Sequence, residues 1–215
     1  MTAFSHRPDP VVRLVDDDQS VLKALGTYLD VAGFRVAAYD SAARFLNEDD
    51  FSVPGCLVLD VRMPRMTGIE LQHEMKVRGI DLPIIFLSAH GDIAMAVDAV
   101  KAGAKTFLVK PPKLDELAET IAEAIEENVE RRAKVRDWLE LRADFEKLTP
   151  AEKAVAGMIV KGLTNAVIAE ALGMAERTVK AHRASVYEKL DVENAVELAD
   201  FLHELDDYRK ELESK

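Results

Sequence analysis

Residues 56–64 of the chain read Cys-Leu-Val-Leu-Asp-Val-Arg-Met-Pro, so four consecutive apolar residues lead directly into Asp60. An apolar run with no alternation of inward and outward residues is typical of a parallel strand that is covered on both faces. The aspartate then lies at the carboxyl end of the strand, which is the edge where open α/β sheets bind ligands. This stretch therefore predicts a fold class and a candidate site together.

The same arrangement recurs five times in the first half of the chain, where short apolar runs alternate with amphipathic stretches. The strands predicted from this pattern are Val11–Val15, Arg35–Tyr39, Cys56–Leu59, Pro83–Leu87 and Thr106–Val109. The predicted helices are Val21–Ala32, Ala42–Leu46, Ile69–Val77, Ile93–Ala102 and Leu114–Ile125. Repeated β-α units of this kind predict an α/β fold, a doubly wound five-stranded parallel sheet.

A long helix is predicted from about Lys113 to Leu148, a segment that contains neither Gly nor Pro. Its apolar residues fall near heptad spacing at Leu114, Leu117, Ile121, Ala124, Val135, Trp138 and Phe145. Asn128, Arg131 and Arg142 lie in the same seam, and polar residues there weaken a coiled coil. We therefore expect a long linker helix with limited pairing.

Thr149-Pro150 then begins an all-helical region, because a capping residue followed by proline is typical of a helix start. Breaks at residues 162–164 and 173–175 divide it into short helices, and a final helix begins near Asn194. The mostly charged residues from Asp206 to Lys215 are expected to fray. The predicted domains are residues 1–127, a linker helix at 128–147, and a four-helix domain with a charged tail at 148–215.

Composition limits the class of protein. The chain has 215 residues and 48% hydrophobic content, which is enough for buried cores. Its one cysteine, Cys56, excludes a disulfide framework and indicates a reducing compartment. We find neither a run of about 18 apolar residues nor a signal-like start, so the expected location is the cytoplasm, without membrane attachment.

The net charge of −11 argues at first against a nucleic-acid partner. The charge is unevenly distributed, because residues 1–128 carry 13 basic and 21 acidic side chains and residues 129–215 carry 15 and 18. The second part is thus close to neutral, which leaves room for a local basic face.

Charged and polar groups follow four of the predicted strands: Asp16 and Asp17, Asp60, Ser88, and Lys110. Parallel strands bring their carboxyl ends to one edge, where three carboxylates would repel one another unless a cation neutralised them. Oxygen ligands of this kind suit Mg²⁺. One carboxylate could then attack a phosphoryl group, while Lys110 pairs with the phosphoryl oxygens and Ser88 donates a hydrogen bond.

Five motifs in residues 10–127 resemble the receiver domain of bacterial response regulators, which implies a flavodoxin-like fold. They are Val15-Asp16-Asp17-Asp18, Asp60-Val61-Arg62-Met63-Pro64, Met66-Thr67-Gly68, Ser88-Ala89-His90-Gly91-Asp92 and Lys110-Pro111. The resemblance implies that Asp60 is the phosphoacceptor and that Asp16, Asp17, Asp60 and the backbone carbonyl of Arg62 hold Mg²⁺. It also implies that Ser88, Phe107 and Lys110 respond to phosphorylation, although Phe107 alone reads as an aromatic packed in a strand.

Two positions in this half carry weaker signals. Pro112 stands where receiver domains commonly have an aromatic residue, which puts the packing of the last receiver helix in doubt. His90 is better explained as a loop residue than as a catalytic base.

Residues 164–172 and 176–190 predict two short helices joined by Gly173-Met174-Ala175, the length of turn that a helix-turn-helix needs. Ile168, Ala169 and Leu172 should face Val179, Val186 and Leu190. The outward face of the second helix carries cations that suit phosphates and base edges in a major groove, although a solvated helix surface would look similar.

Residues 148–202 resemble the LuxR-type helix-turn-helix of the FixJ and NarL response regulators, and the FixJ branch fits best. The motifs are Leu148-Thr149-Pro150-Ala151-Glu152, Gly162-Leu163-Thr164-Asn165, Ile168-Ala169 and Thr178-Val179-Lys180-Ala181-His182. The DNA contacts implied by the resemblance are Thr178, Lys180, His182, Arg183 and Lys189. Ala166 stands where the family usually has a basic residue, so one phosphate contact is expected to be missing.

The whole pattern predicts a two-component response regulator that regulates transcription and is not an enzyme. The expected partners are a sensor histidine kinase, promoter DNA and a second copy of the chain upon phosphorylation, with RNA polymerase as a further candidate.

Two other classes of protein fit the sequence less well. An aspartate-nucleophile phosphatase would need a second acidic residue where Arg62 stands. A small-molecule sensor joined to the helix-turn-helix would leave the acidic pair and Lys110 without a role.

Overall fold

The computed structural model describes residues 9–88 and 100–213, with side chains described as far as Lys210. The chain separates into two compact units, Met1–Arg132 and Ala133–Lys215. Within the described residues, no helix is both long enough and apolar enough to cross a membrane.

The first unit is built on five parallel strands in the order β2-β1-β3-β4-β5. The strands are β1 (Val11–Val15), β2 (Arg35–Tyr39), β3 (Gly55–Asp60), β4 (Ile84–Ser88) and β5 (Thr106–Val109). Every residue of the three central strands is buried, as expected for strands covered on both faces. The sheet predicted from the apolar runs is confirmed.

Helices cover both faces of this sheet. They are α1 (Gln19–Val31), α2 (Ala42–Glu48), α3 (Gly68–Val77) and the long α4 (Leu114–Glu146), labelled in chain order for the described residues. One apolar core includes Phe45, Leu71 and Met75 beneath α2 and α3, and the other includes Leu25, Leu29 and Ile121 beneath α1 and α4. Most of the predicted helix Ile93–Ala102 lies outside the described residues.

Cys56 lies within β3 with no exposed surface, in the core beneath α1 and α4. Burial raises the pKa of its thiol to about 12.

The second unit, as far as it is described, contains four further helices and the end of α4. The four are α5 (Pro150–Ile159), α6 (Asn165–Leu172), α7 (Glu176–Leu190) and α8 (Ala195–Glu213). Their shared core includes Val155, Ile168, Val179, Val186 and Leu198. The all-helical architecture predicted for this region is confirmed.

Helix α8 continues to Glu213, although we expected the charged residues from Asp206 onward to fray. Lys210 Nζ lies 2.6 Å from Asp206 Oδ2, one turn away on the same helix. Ion pairs at this spacing stabilise a helix that is otherwise polar.

A buried arginine ties the sheet to the segment between α2 and β3, and the apolar pattern of β1 gave no sign of it. Arg13 is 1% exposed, and its guanidinium donates to Asp49 Oδ2 at 2.8 Å. It also donates to the backbone carbonyls of Val11, Asp50, Val53 and Pro54. A buried cation is tolerated here because all three nitrogens of the guanidinium donate hydrogen bonds.

Replacing Arg13 with Met should lower the free energy of unfolding by about 3–5 kcal/mol, because the Asp49 carboxylate and the carbonyls would stay buried without their donor. Urea unfolding followed by circular dichroism measures the loss. Arg44→Met is the matched control: its guanidinium is half exposed and pairs with Glu48, so a much smaller loss is expected. Equal losses in the two variants would contradict the role given to Arg13.

Candidate functional site

Charged side chains from three strand ends meet at the carboxyl edge of the sheet. Lys110 Nζ lies 2.5 Å from Asp16 Oδ2 and 2.5 Å from Asp60 Oδ1. The carboxylates are almost buried, with Asp16 4% exposed and Asp60 7% exposed. The structure thus brings together three of the residues that the sequence predicted to be neighbours.

Backbone amides hold the remaining carboxylate oxygens of this pocket. The amide of Arg62 donates to Asp60 Oδ2 at 2.8 Å, and the amide of Asp18 donates to Asp16 Oδ1 at 2.9 Å. Asp18 itself caps α1 by accepting from the amide of Ser20 at 2.8 Å. The first helix and the β3–α3 loop therefore fix the orientation of the two buried aspartates.

Asp17 completes a group of three carboxylates that suits a metal ion. One oxygen from each of Asp16, Asp17 and Asp60 lies within 4.8 Å of the other two. Asp17 is exposed, which gives the group an open side. Clustered carboxylate oxygens are the ligands that a hard divalent cation prefers, so the residues present fit such an ion.

The pKa shifts reflect the crowding of charge. Burial raises the pKa of the Asp60 carboxyl despite the neighbouring Lys110, and the charge of Asp16 adds to the rise. Burial by itself would lower the pKa of Lys110, but its hydrogen bonds to Asp16 and Asp60 outweigh that effect and raise it. The ammonium group of Lys110 and the carboxylates of Asp16 and Asp60 therefore each favour the charged form of the other.

Ser88 and Phe107 lie on the neighbouring strands β4 and β5. Ser88 is 2% exposed, and its backbone carbonyl accepts from the amide of Lys110 at 2.7 Å. Phe107 is half buried, with its ring centroid 6.4 Å from that of Phe86. Their predicted roles in the response to phosphorylation stay predictions, and His90 lies outside the described residues.

Gly68, at the start of α3, allows that helix to approach the backbone of Asp60. A Cβ at this position would lie 2.3 Å from the Asp60 carbonyl oxygen and 3.1 Å from the ring of Phe86. Thr67 and Glu70 form a capping box that fixes the same turn. The motif Met66-Thr67-Gly68 is thus explained by packing against the site, a reason that sequence reasoning did not supply.

In the second unit, α6 and α7 form the predicted helix-turn-helix. Thr164 caps α6, and Gly173 ends it in the left-handed conformation at φ 64°. Ile168, Val179 and Val186 are fully buried between the helices. The predicted packing of the two helices is confirmed.

The predicted DNA contacts differ in exposure along α7. Thr178 and Lys180 are exposed, and His182 and Arg183 are half buried. Arg183 donates to the Tyr187 hydroxyl at 3.0 Å and to Asn165 Oδ1 at 3.3 Å, so its guanidinium is already held by its own domain. Lys180 Nζ lies 3.5 Å from Glu176 Oε1 at the helix surface.

Lys189 differs from the others because its ammonium group faces the interior of its own domain. Its Nζ lies 2.9 Å and 2.7 Å from the two carboxylate oxygens of Glu152 on α5. Glu152 is 4% exposed and also accepts from the Ser185 hydroxyl at 2.6 Å. A contact between Lys189 and DNA would have to break this ion pair, so its predicted role now competes with a structural one.

Glu152 lies at the centre of a hydrogen-bonding network that the sequence pattern did not predict. Besides α7, it binds Thr149, whose amide donates to Oε2 at 2.7 Å in a capping box. The hydrogen bond from Lys189, followed by those from Ser185 and Thr149, lowers the pKa of Glu152 to about 2. The sequence signal for this network is the capping-box pattern of Thr149 and Glu152.

Known proteins match both units. The family model for the response regulator receiver domain matches residues 12–122, and that for bacterial regulatory proteins of the luxR family matches residues 146–202. The response regulator protein TodT of Pseudomonas putida is 38% identical over 208 residues, covering 96% of this chain and 92% of TodT. The transcriptional regulatory protein FixJ of Rhizobium meliloti is 40% identical over 182 residues, covering 85% and 89%.

Solved structures agree with these matches. The response regulator StyR superimposes with a TM-score of 0.85 at 42% identity, covering 91% of this chain and 98% of StyR. Full-length FixJ from B. japonicum gives a TM-score of 0.57 at 34% identity, covering 92% and 97%.

The Glu152 network should make the second unit sensitive to acid. Because the pKa of Glu152 is lowered from its ordinary value of 4.5 to about 2, its contribution to stability is complete above pH 4.5 and is lost as the pH falls towards 2. Trp138, the only tryptophan, lies in the second unit, so its fluorescence during urea unfolding reports this loss.

Glu152→Gln is the control for that titration. At pH 7 it should be less stable than the parent chain by about 2 kcal/mol, because bonds to a charged acceptor are lost. Its stability should then fall less steeply between pH 4.5 and 2. Parallel pH curves for the two proteins would show that Glu152 is not the group responsible.

Proposed function

The chain belongs to the bacterial response regulators that join a receiver domain to a LuxR-type helix-turn-helix domain, and on this premise we propose that Asp60 is its phosphoacceptor. It is a two-component transcription regulator and not an enzyme, its receiver implies a kinase partner, and its helix-turn-helix implies DNA binding. The phosphatase alternative is therefore not retained. A receiver in the first unit also removes the grounds for a small-molecule sensor there.

Its position supports Asp60 above the other two carboxylates of the group, because Asp60 is the one that ends the central strand of the sheet. Like Asp16, it has Lys110 Nζ at 2.5 Å on one oxygen and a backbone amide on the other. Asp16 and Asp17 stand beside it as further oxygen ligands. The combination gives a carboxylate that is held in place, next to a cation that can pair with an incoming phosphoryl group.

We propose that Mg²⁺ is the ion for this site, held by Asp16, Asp17, Asp60 and the backbone carbonyl of Arg62. When bound, the ion offsets the charge of the carboxylates and of the phosphoryl oxygens. Lys110 then exchanges its present carboxylate partners for a phosphoryl oxygen, and the Ser88 hydroxyl donates to another. We propose that the packing of the Phe107 side chain changes when Lys110 and Ser88 take these new partners.

The proposed donor is a phosphohistidine on a sensor histidine kinase. An Asp60 oxygen attacks the phosphorus, the new P–O bond forms as the P–N bond breaks, and the released imidazole takes a proton from water. The product is an aspartyl phosphate whose added negative charge lies beside Lys110.

The output is proposed to be a homodimer that binds a two-fold symmetric promoter site and acts with RNA polymerase in the cytoplasm. The face proposed to dimerise comprises residues 93–102, β5 and the start of α4. Val109 and Leu114 on that face are 46% and 42% exposed, which supports its use as an interface. Residues 93–99 of this proposal lie outside the described residues.

The domain boundaries proposed for this function are a receiver at 1–127, a linker helix at 128–147 and a DNA-binding domain at 148–215. The division of the chain at Arg132 and Ala133 falls inside the proposed linker. The proposed DNA contacts are Thr178, Lys180, His182 and Arg183, with Lys189 engaged by Glu152 until DNA competes for it.

Incubation with acetyl phosphate and Mg²⁺ should add one phosphoryl group to the chain, observed by intact mass. Asp60→Asn should abolish the adduct, because an amide oxygen is a poor nucleophile towards phosphorus. Asp30→Asn, which changes an exposed aspartate on α1, should leave it intact. An adduct that survives in Asp60→Asn would refute the assignment.

Lys180→Ala should weaken binding to all duplexes by a similar factor and lower the slope of log affinity against log salt by about 1, as expected for one lost phosphate contact. Fluorescence anisotropy with a labelled duplex over a salt series measures both. The control is Lys210→Ala, which removes an exposed cation from α8, outside the helix-turn-helix. An unchanged slope in Lys180→Ala would exclude a phosphate contact there.

A further inference from the structure

A second polar cluster lies at the amino edge of the sheet, the edge opposite to Asp60. Its centre is Asn128 on α4, which has no exposed surface. The apolar residues Leu117, Ile121 and Ala124 precede it on the same face of the helix and pack in the core beneath α1 and α4. The apolar stripe through which α4 packs on the sheet thus ends at the side-chain amide of Asn128.

Both polar atoms of this amide bind the backbone of the sheet edge. Asn128 Oδ1 accepts from the amide of Gly55, the first residue of β3, at 3.0 Å. Its Nδ2 donates to the backbone carbonyl of Asp81, just before β4, at 2.8 Å. One side chain of α4 therefore spans the starts of two adjacent strands.

Gly55 is held from its other side as well. Its φ is 149°, and a Cβ there would lie 1.9 Å from the Val11 carbonyl oxygen and 2.8 Å from the Arg13 guanidinium. The backbone of Gly55 therefore packs closely against β1, and the hydrogen bond to Asn128 joins α4 to this packed strand start.

The next turn of α4 adds two arginines to the cluster. Arg131 Nε donates to Asp81 Oδ2 at 2.8 Å, and a second nitrogen of the same guanidinium lies 2.6 Å from Oδ1. Arg132 donates to the backbone carbonyls of Phe51 and Ser52 at 3.0 Å and 2.9 Å. We name Asn128, Arg131 and Arg132 with these partners the amino-edge clamp.

The clamp coincides with the point where α4 passes from one unit to the other. Arg132 is the last residue of the first unit, and Val135, Trp138 and Phe145 continue the helix into the second. An apolar seam alone would tolerate small rotations of the helix about its axis, because hydrophobic contact is not directional. Paired hydrogen bonds do set a direction.

We propose that Asn128 is a positioning residue, which fixes the rotation of α4 at the end of the receiver so that the state of Asp60 alters DNA affinity. This inference rests on the proposed function. The amide acts as a register device, like a single polar residue in the apolar seam of a coiled coil, except that its partner here is the backbone of the same chain. Replacing it should loosen the coupling without changing the chemistry at Asp60.

Asn128→Leu in the full chain tests the proposal, because leucine keeps the branched shape of the side chain and loses both hydrogen bonds. The readout is the ratio of DNA affinities with and without acetyl phosphate, for a duplex that the phosphorylated parent chain selects from a random library. We expect the ratio to shrink by about 5-fold or more, a coupling energy typical of linked sites. Adduct formation on Asp60 should be unchanged, and amide exchange in residues 125–146 should accelerate.

Three controls separate coupling from folding. Glu130→Gln changes an exposed residue on the same helix and should keep the ratio. Ile85→Val lowers stability within the sheet core and should also keep it, so loss of stability alone would not imitate the effect. Arg131→Ala removes only the half-exposed ion pair, and should shrink the ratio less than Asn128→Leu does.

The outcomes are distinct. A smaller ratio in Asn128→Leu with a normal adduct and normal controls supports the positioning role. A parent-like ratio in Asn128→Leu overturns it while leaving the proposed function intact. A parent chain whose affinity does not respond to phosphorylation overturns the proposed function, and this inference with it.

Discussion

The structure depends on one charge balance, in which the ammonium of Lys110 lies between the carboxylates of Asp16 and Asp60. Two nearly buried aspartates repel each other and resist burial, so a cation must accompany them. A parallel sheet supplies it, because β1, β3 and β5 end at the same edge even though their sequences are far apart. The helices that cover both faces of the sheet help to bury these two carboxylates. Burial is the reason why the carboxylates need a cation beside them.

The same rule governs the polar groups elsewhere in the molecule. Arg13 within the sheet, Asn128 at its amino edge and Glu152 in the second unit are all buried, and each is surrounded by hydrogen-bonding partners. They join elements that apolar contacts alone would leave free to slide or rotate. These polar networks add directional contacts to the apolar cores, and the cores supply most of the driving force.

The parallel sheet and the pocket at its carboxyl edge could be predicted because each follows from a local pattern. An apolar run indicates a buried strand, and the residue after it is placed at a known edge. Asn128 and Lys189 could not be placed in this way, since a polar residue has the same appearance in sequence whether it faces solvent, DNA or a buried partner. From the sequence, Asn128 is a polar residue in a coiled-coil seam and Lys189 is a DNA contact, because the partners Gly55, Asp81 and Glu152 are distant along the chain. Arg13 gives no signal of its own, because one charged residue does not change the apolar pattern of β1.

The buried thiol of Cys56 has a practical consequence for studies of movement in this chain. With a pKa of about 12 and no exposed surface, it forms almost no thiolate near neutral pH and offers no path to an alkylating reagent. It is the only cysteine, so the natural chain is already a background for site-selective labelling. A cysteine introduced at any exposed position would react alone, and paired spectroscopic probes could report distances without removal of the native residue.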